Sequence, residues 1–164
     1  MEETFSTFDP KQKQKTKSKS KYHQGKFFPK NAKKYRGDPT NIVYRSSWEL
    51  KMMHYLDNNV NVLEWSSESI VIPYFDPTTN KVRRYFPDFM AKVRDRGGKV
   101  LTLILEVKPS SQTVPPQARR MTKKFLSEAL TYAVNEAKWN AASKYCQDRG
   151  FEFRVITEYD LGIK

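Results

Sequence analysis

Apolar and polar positions alternate beyond residue 40 in patterns that predict helices and strands in turn. Apolar residues at helical spacing follow Ser46 and Ser47, either of which can cap a helix that begins near Trp48. Val100–Val107 is apolar on both faces, as a central strand must be. The other predicted elements are strands over 69–74 and 81–93 joined by a turn at 76–80, a helical stretch, in one or two pieces, over 117–149, and a last strand over 151–157.

These elements follow the order αβββαβ. Strands followed by a helical crossover predict an α/β fold, in which helices pack on a central mixed sheet. We assign this domain to residues 40–164. No internal repeat interrupts it.

The N-terminal residues follow a different pattern. Lysine stands at every second position from Lys11 to Lys21, and no apolar residue separates these lysines. Such a run repels itself and buries no surface, so we interpret 1–39 as a basic, largely disordered arm. A solubilising tail is the alternative to an arm that binds DNA phosphates, and the candidate phosphate ligands are Lys13, Lys15, Lys17 and Lys19.

Composition narrows the possible partners and compartments. The chain of 164 residues has a net charge of +12, which favours a polyanionic partner, with nucleic acid first and an anionic membrane second. A second basic cluster at helical spacing is either a solvated face or a track for a phosphate strand; it consists of Arg119, Arg120, Lys123 and Lys124. One cysteine excludes an internal disulfide, and two histidines make a zinc site unexpected. No apolar run is long enough for a membrane helix, so we expect no membrane partner and a cytoplasmic location.

Two carboxylates stand where a purely structural role is hard to assign. Glu106 interrupts the buried strand, where a lone charge is unfavourable unless it is paired or binds a metal. Lys108 is two residues on and so lies on the same face of the strand. Asp88 follows Pro87, which favours a sheet edge or a bulge. This set suits phosphodiester hydrolysis with Mg²⁺, or Mn²⁺ in its place, because hard cations prefer carboxylate oxygens. The alternative is an ordinary ion pair between Glu106 and Lys108, with Asp88 a turn residue.

Longer stretches carry a family resemblance. Pro87-Asp88 followed by Glu106-Val107-Lys108 resembles the PD-(D/E)xK motif of the restriction-endonuclease-like superfamily. The stretches RSSWE (45–49), RYFPDF (84–89), EVKP (106–109) and VITE (155–158) resemble TnsA-type transposon endonucleases. Residues 35–42 (YRGDPTNI) and 44–49 (YRSSWE) are similar to head completion nucleases of T-even-like tailed phages.

The resemblance implies a restriction-endonuclease-like core and a catalytic site of Asp88, Glu106 and Lys108. It also implies that Glu49, on the first core helix, completes the metal site; a favourable interaction with the helix dipole is the alternative role. Arg45 would brace Glu49 or bind phosphate. Phage portal or head proteins become candidate partners, and association with the virion joins the host cytoplasm as a candidate location.

Three functions remain open on the sequence. The first is a metal-dependent DNA endonuclease that acts in phage head completion and DNA packaging. The second is a structural head-completion or DNA-binding protein that retains a nuclease fold. The third is a TnsA-like transposase subunit. The presence of Asp88, Glu106 and Lys108 together favours the first, because a structural descendant has no need of all three.

Overall fold

The computed structural model describes residues 24–163, which form strands, two α-helices and two short 3₁₀ turns. The elements in chain order are β1 (Gly25–Phe27), β2 (Ile42–Tyr44), α1 (Ser47–Asn58), β3 (Val62–Ser67), β4 (Ile72–Asp76), β5 (Lys81–Tyr85), β6 (Phe89–Arg94), β7 (Val100–Val107), α2 (Lys123–Arg149) and β8 (Glu152–Ile156).

A mixed four-stranded sheet in the order β3-β6-β7-β8 forms the centre of the domain. β6 pairs antiparallel with β3 and β7, whereas β8 is parallel to β7. The parallel pair requires a crossover, and α2 provides it. Together with α1, the sheet confirms the predicted αβββαβ order.

Some of the strands in this order differ from the predicted strands. β3 was missed, since its VLEWSS sequence places polar residues at half of its positions. The predicted strand over 69–74 is β4, which starts three residues later, and the predicted strand over 81–93 is two strands separated by residues 86–88. The predicted hairpin exists as β4 and β5, but it forms a separate two-stranded sheet. Pro87 explains the break, because proline has no N–H for a ladder hydrogen bond.

The folded domain starts earlier than the predicted boundary between residues 39 and 40. β1 pairs with β2, and Phe27 is buried in the main apolar core. Tyr35 packs edge-on against Trp65, with ring centroids 4.8 Å apart. Aromatic and apolar side chains therefore fix residues 25–39 to the domain, although the basic composition of this stretch had suggested an arm. Lys13, Lys15, Lys17 and Lys19 lie outside the described residues.

Both helices begin at hydroxyl caps. The Ser46 side chain accepts the N–H of Glu49 at the start of α1, and Thr122 accepts the N–H of Phe125 at the start of α2. α2 is one continuous helix that starts later than residue 117, after Pro115 and Pro116. It ends at Gly150, whose φ of 69° is the left-handed conformation that suits a helix end.

Two apolar clusters cover the sheet. α1 packs its buried face (Met52, Met53, Leu56) on β3, β6 and β7 in the first cluster. The β4–β5 hairpin packs on α2 in the second, through Ile72, Tyr74, Tyr85 and Ala142. No helix within residues 24–163 is long and apolar enough to cross a membrane.

Asp57 attaches the N-terminal segment to α1. Its side chain is buried and accepts hydrogen bonds from the backbone N–H groups of Lys30 and Asn31, at 2.8 and 3.2 Å.

We expect Asp57→Ala to lower the free energy of unfolding by about 2–3 kcal/mol, because two N–H groups lose a charged acceptor. Urea denaturation measures this effect. Asp148→Ala, at an exposed position of α2, is the control and should change stability by less than about 0.5 kcal/mol. Equal midpoints for the two variants would contradict the assignment.

Candidate active site

The candidate site lies where β6 begins and β7 ends. The register that pairs Phe89 with Leu105 places Asp88 opposite Glu106, because the two strands are antiparallel. Asp88 directly precedes β6 and follows the break at Pro87. The fold thus brings together two carboxylates that are 18 residues apart in the sequence.

Each carboxylate has one oxygen held by a protein donor. The backbone N–H of Val107 donates to Asp88 Oδ2 at 2.8 Å, and the Tyr85 hydroxyl donates to Glu106 Oε2 at 2.7 Å. Lys108 Nζ lies 3.7 Å from the other oxygen of Glu106, Oε1. Asp88 Oδ1 makes no hydrogen bond to any residue from 24 to 163. The pair therefore presents one oxygen of each carboxylate to further ligands.

Burial raises the pKa of both carboxyl groups. Burial is the larger cause for Asp88, the charge of Glu106 adds to it, and its pKa lies well above the usual value. Burial also raises the pKa of Glu106, although the Tyr85 hydrogen bond and the nearby Lys108 act in the opposite direction. Two partly desolvated carboxyls that disfavour each other's charge form a site that a cation would stabilise.

Glu49 approaches this pair from α1. It is half-buried, its Oε2 accepts the backbone N–H of Arg45 at 2.9 Å, and burial raises its pKa. Its charge also raises the pKa of Asp88, so the two carboxylates lie within electrostatic range. Across residues 24–163, however, no three Asp, Glu, His or Cys side chains are close enough to form a preformed metal cluster. Glu49 as a third ligand stays a prediction.

The guanidinium of Arg45 has a different partner from the predicted one. It binds both carboxylate oxygens of Glu68, at 3.1 and 3.2 Å, and only its backbone N–H contacts Glu49. The Arg45 side chain is more than half exposed, so a phosphate could replace Glu68 as its partner.

A cleft of about 590 Å³ opens beside these residues. Glu49 and Arg45 line one side of it, and Val107 and Lys108 line another. Gln24, Ser46, Ser47, Trp48, Pro109 and Gln112 complete its lining. Lys108 and Glu49, predicted from distant parts of the sequence, thus share one concave surface.

The predicted basic cluster is only partly helical. Lys123 and Lys124 occupy the first turn of α2, whereas Arg119 and Arg120 precede the helix, because the two prolines delay its start. All four side chains are exposed. Lys124 forms a surface ion pair with Glu128 at 3.8 Å. Their role in DNA binding stays a prediction.

Sequence reasoning missed the roles of Tyr85 and Glu68 beside the pair. Tyr85 donates to Glu106, Lys138 lies 5.6 Å above the Tyr85 ring, and Glu68 donates its backbone N–H to the Asp88 carbonyl at 3.0 Å. Tyr85 stands three residues before Asp88, but the strand break between them hid the face to which it points. Glu68 has a φ of 49°, which its sequence context does not reveal.

Comparison with known proteins agrees with this geometry. The family model described as "TnsA-like endonuclease N terminal" matches residues 59–158, which include Asp88, Glu106 and Lys108. The chain is also 43% identical over 144 residues to the head completion nuclease of Enterobacteria phage T4, and the match covers 85% of this chain and 93% of that protein. The chain therefore belongs to the TnsA-like endonuclease family and is a nuclease of the head completion type.

Proposed function

We propose that this nuclease hydrolyses phosphodiester bonds of DNA with Mg²⁺, or Mn²⁺ in its place, bound by Asp88 and Glu106. The observation that carries the proposal is the arrangement of two carboxylates, Glu106 buried and Asp88 partly buried, each with one oxygen held by the protein and one directed to other ligands. Mg²⁺ is commonly bound by only one or two carboxylates and keeps several waters, so this donor set fits it. Glu49 would contribute a further oxygen, directly or through water.

The metal, when bound, would lower the pKa of a water molecule and withdraw charge from the scissile phosphate. The protein residues provide position and charge around it. The Val107 N–H and the Tyr85 hydroxyl hold the carboxylates in place before substrate arrives. Lys108, with its side chain about 29% exposed, keeps a cation beside Glu106 and donates hydrogen bonds to the water or the phosphate oxygens.

The positive charge of the chain supports DNA as the substrate. The net charge is +12, and Arg45 lies in the cleft beside Glu49 and Lys108. The name of the T4 relative supports action in head completion. We therefore propose that phage head or portal proteins are partners, and that the nuclease works in the host cytoplasm or on the virion.

The first test concerns the two carboxylates. Asp88→Asn and Glu106→Gln should each reduce Mg²⁺-dependent cleavage by more than about a hundredfold, a larger loss than removal of an outer partner of a metal ligand usually gives. DNA affinity should be equal or higher, because a negative charge near the phosphate is lost. Gel assays with Mg²⁺ or EDTA measure cleavage, and fluorescence anisotropy measures binding.

Asp148→Asn, at an exposed position of α2, is the matched control and should cleave at the wild-type rate. Wild-type cleavage by both Asp88→Asn and Glu106→Gln would exclude the proposed site. Loss of DNA binding together with cleavage would place these residues in substrate binding instead.

The second test uses the raised pKa of Asp88. A carboxyl whose pKa is higher in the folded than in the unfolded state destabilises the fold when it is ionised, above its folded pKa. This penalty disappears as the pH falls to the usual value for Asp. Metal-free Asp88→Asn should therefore melt a few degrees higher than wild type at pH 7, since about 1 kcal/mol shifts the Tm of a chain of this size by roughly 2–4 °C.

The Tm difference between Asp88→Asn and wild type should shrink steadily as the pH falls from 7 to about 4, where the wild-type carboxyl is also largely protonated. Calorimetry in EDTA over this pH range measures it. A difference that is independent of pH would contradict the assigned cause.

The third test separates two roles of Lys108. Its Nζ lies 3.7 Å from the Glu106 carboxylate, and we assign it the role of a fixed cation and not of a general base. Lys108→Arg keeps the charge and should retain more activity than Lys108→Met. Cleavage rates at saturating Mg²⁺ across pH provide the comparison. Equal, near-complete loss in both variants would favour the base, and full activity in Lys108→Met would remove this lysine from the mechanism.

A further inference from the structure

The Glu106 carboxylate is oriented by a side chain from outside the central sheet. The last torsion of a glutamate is broad and twofold, so burial alone does not fix which oxygen faces which neighbour. The Tyr85 hydroxyl fixes it here, because it donates to Oε2 at 2.7 Å and leaves Oε1 beside Lys108 Nζ at 3.7 Å. Both carboxylate oxygens therefore have distinct environments.

The position of the Tyr85 hydroxyl is in turn set by packing. Tyr85 is 4% exposed, is the last residue of β5 and pairs with Ile72 across the hairpin. Its ring belongs to the cluster that joins the hairpin to α2, and Lys138 Nζ of α2 lies 5.6 Å from the ring centroid. The hydroxyl cannot move away without disturbing the contact between the hairpin and α2.

Asp88 is held in a comparable way, but by a backbone group. The Val107 N–H donates to its Oδ2, and only a substitution to proline would remove that donor. Within residues 24–163, the Tyr85 hydroxyl is the side-chain group that donates a hydrogen bond to either carboxylate of the pair. It is also the donor that a conservative substitution can delete.

We propose that Tyr85 is a positioning residue that holds the Glu106 carboxylate in the orientation required to bind a divalent metal ion. This inference rests on the proposed function, because it assigns Glu106 to the metal. Tyr85 acts through Glu106 and does not contact the DNA. Its loss should therefore weaken metal binding and turnover while the affinity for DNA stays the same.

The test compares Tyr85→Phe with Tyr74→Phe in the full chain. Tyr74 is the matched control: it is buried in the same hairpin, its ring lies 5.7 Å from the same Lys138 Nζ, and its hydroxyl has no hydrogen-bond partner among residues 24–163. Electron paramagnetic resonance measures Mn²⁺ affinity without DNA, and steady-state cleavage gives kcat and KM.

Tyr85→Phe should lower Mn²⁺ affinity and kcat by about 10–100-fold, as removal of a partner of a metal ligand does, with an unchanged KM for DNA. Tyr74→Phe should match wild type in all three. Wild-type Mn²⁺ affinity and kcat in folded Tyr85→Phe would overturn the inference. An equal loss in both tyrosine variants would overturn it too, since the effect would then come from the packing of the hairpin.

A second variant covers the case in which loss of the hydroxyl unfolds the hairpin. Tyr85→p-aminophenylalanine keeps the ring and a donor, so it should fold and bind Mn²⁺ within about threefold of wild type, well inside the loss expected when the donor is removed. A folded variant whose Mn²⁺ affinity has fallen more than about tenfold would contradict a role for the donor.

Two further measurements separate this inference from the proposed function. If wild type binds no Mn²⁺, or if Asp88→Asn cleaves DNA normally, the proposed function fails and Tyr85 loses its assigned target. If wild type binds Mn²⁺, Asp88→Asn is inactive and Tyr85→Phe is normal, only the role of Tyr85 is wrong.

Discussion

The repulsion between two partly desolvated carboxylates is the constraint on which the arrangement of the site depends. Asp88 and Glu106 oppose each other across two antiparallel strands, and burial makes each charge unfavourable. The protein offsets this with groups from separate elements: a backbone N–H of β7, a hydroxyl of β5, and the ammonium groups of Lys108 and Lys138. Removal of any of these groups would leave a carboxylate with one fewer favourable partner. Stability must therefore come from elsewhere, and the apolar clusters on α1 and α2 provide it.

The departure of the β4–β5 hairpin from the central sheet serves the same site. A single continuous strand from residue 81 to 93 would have kept Tyr85 and Asp88 in one ladder, with their side chains on opposite faces. The break at residues 86–88 lets Tyr85 approach Glu106 from the hairpin while Asp88 enters the sheet beside it. The hairpin packs on α2, and the ring of Tyr85 contacts that helix while its hydroxyl binds Glu106. The position of α2 therefore affects the Glu106 carboxylate through Tyr85.

The elements that could be predicted from sequence are those with a strong local signal. Val100–Val107 is an apolar run between turns, α1 follows a serine cap, and Gly150 ends α2. Glu106 and Lys108 could be found because a charge in such a run is costly and the two-residue period of a strand is reliable. β3 and the pairing of β1 with β2 could not be found, since VLEWSS and three-residue strands carry little periodicity.

The rest of the site depends on contacts between distant segments. The Tyr85 hydrogen bond needs the strand break and the packing of the hairpin on α2, and no local pattern specifies either. The same holds for the start of the domain. Residues 25–39 are rich in basic residues, yet Phe27 and Tyr35 pack around Trp65, which is itself buried in β3. The basic residues of that stretch describe its surface, whereas its position is set by the packing of Phe27 and Tyr35 and by the hydrogen bonds to Asp57.

The three carboxylates of the site are held by bonds of different strength. The hydrogen bond that fixes Glu106 is buried and the one that fixes Asp88 is partly buried, and hydrogen bonds are worth more where water is excluded. Glu49 is connected to the sheet through Arg45, whose guanidinium pairs with Glu68, and through Glu68, whose N–H binds the Asp88 carbonyl. The ion pair between Arg45 and Glu68 is exposed. Such pairs contribute only about 0–1 kcal/mol to stability and weaken with salt. The position of Glu49 relative to Asp88 and Glu106 is thus the least strongly determined part of the site. A ligand that drew the Glu49 side chain toward Asp88 would have to break its exposed hydrogen bond from the Arg45 N–H, whereas displacing Glu106 would require breaking a buried one.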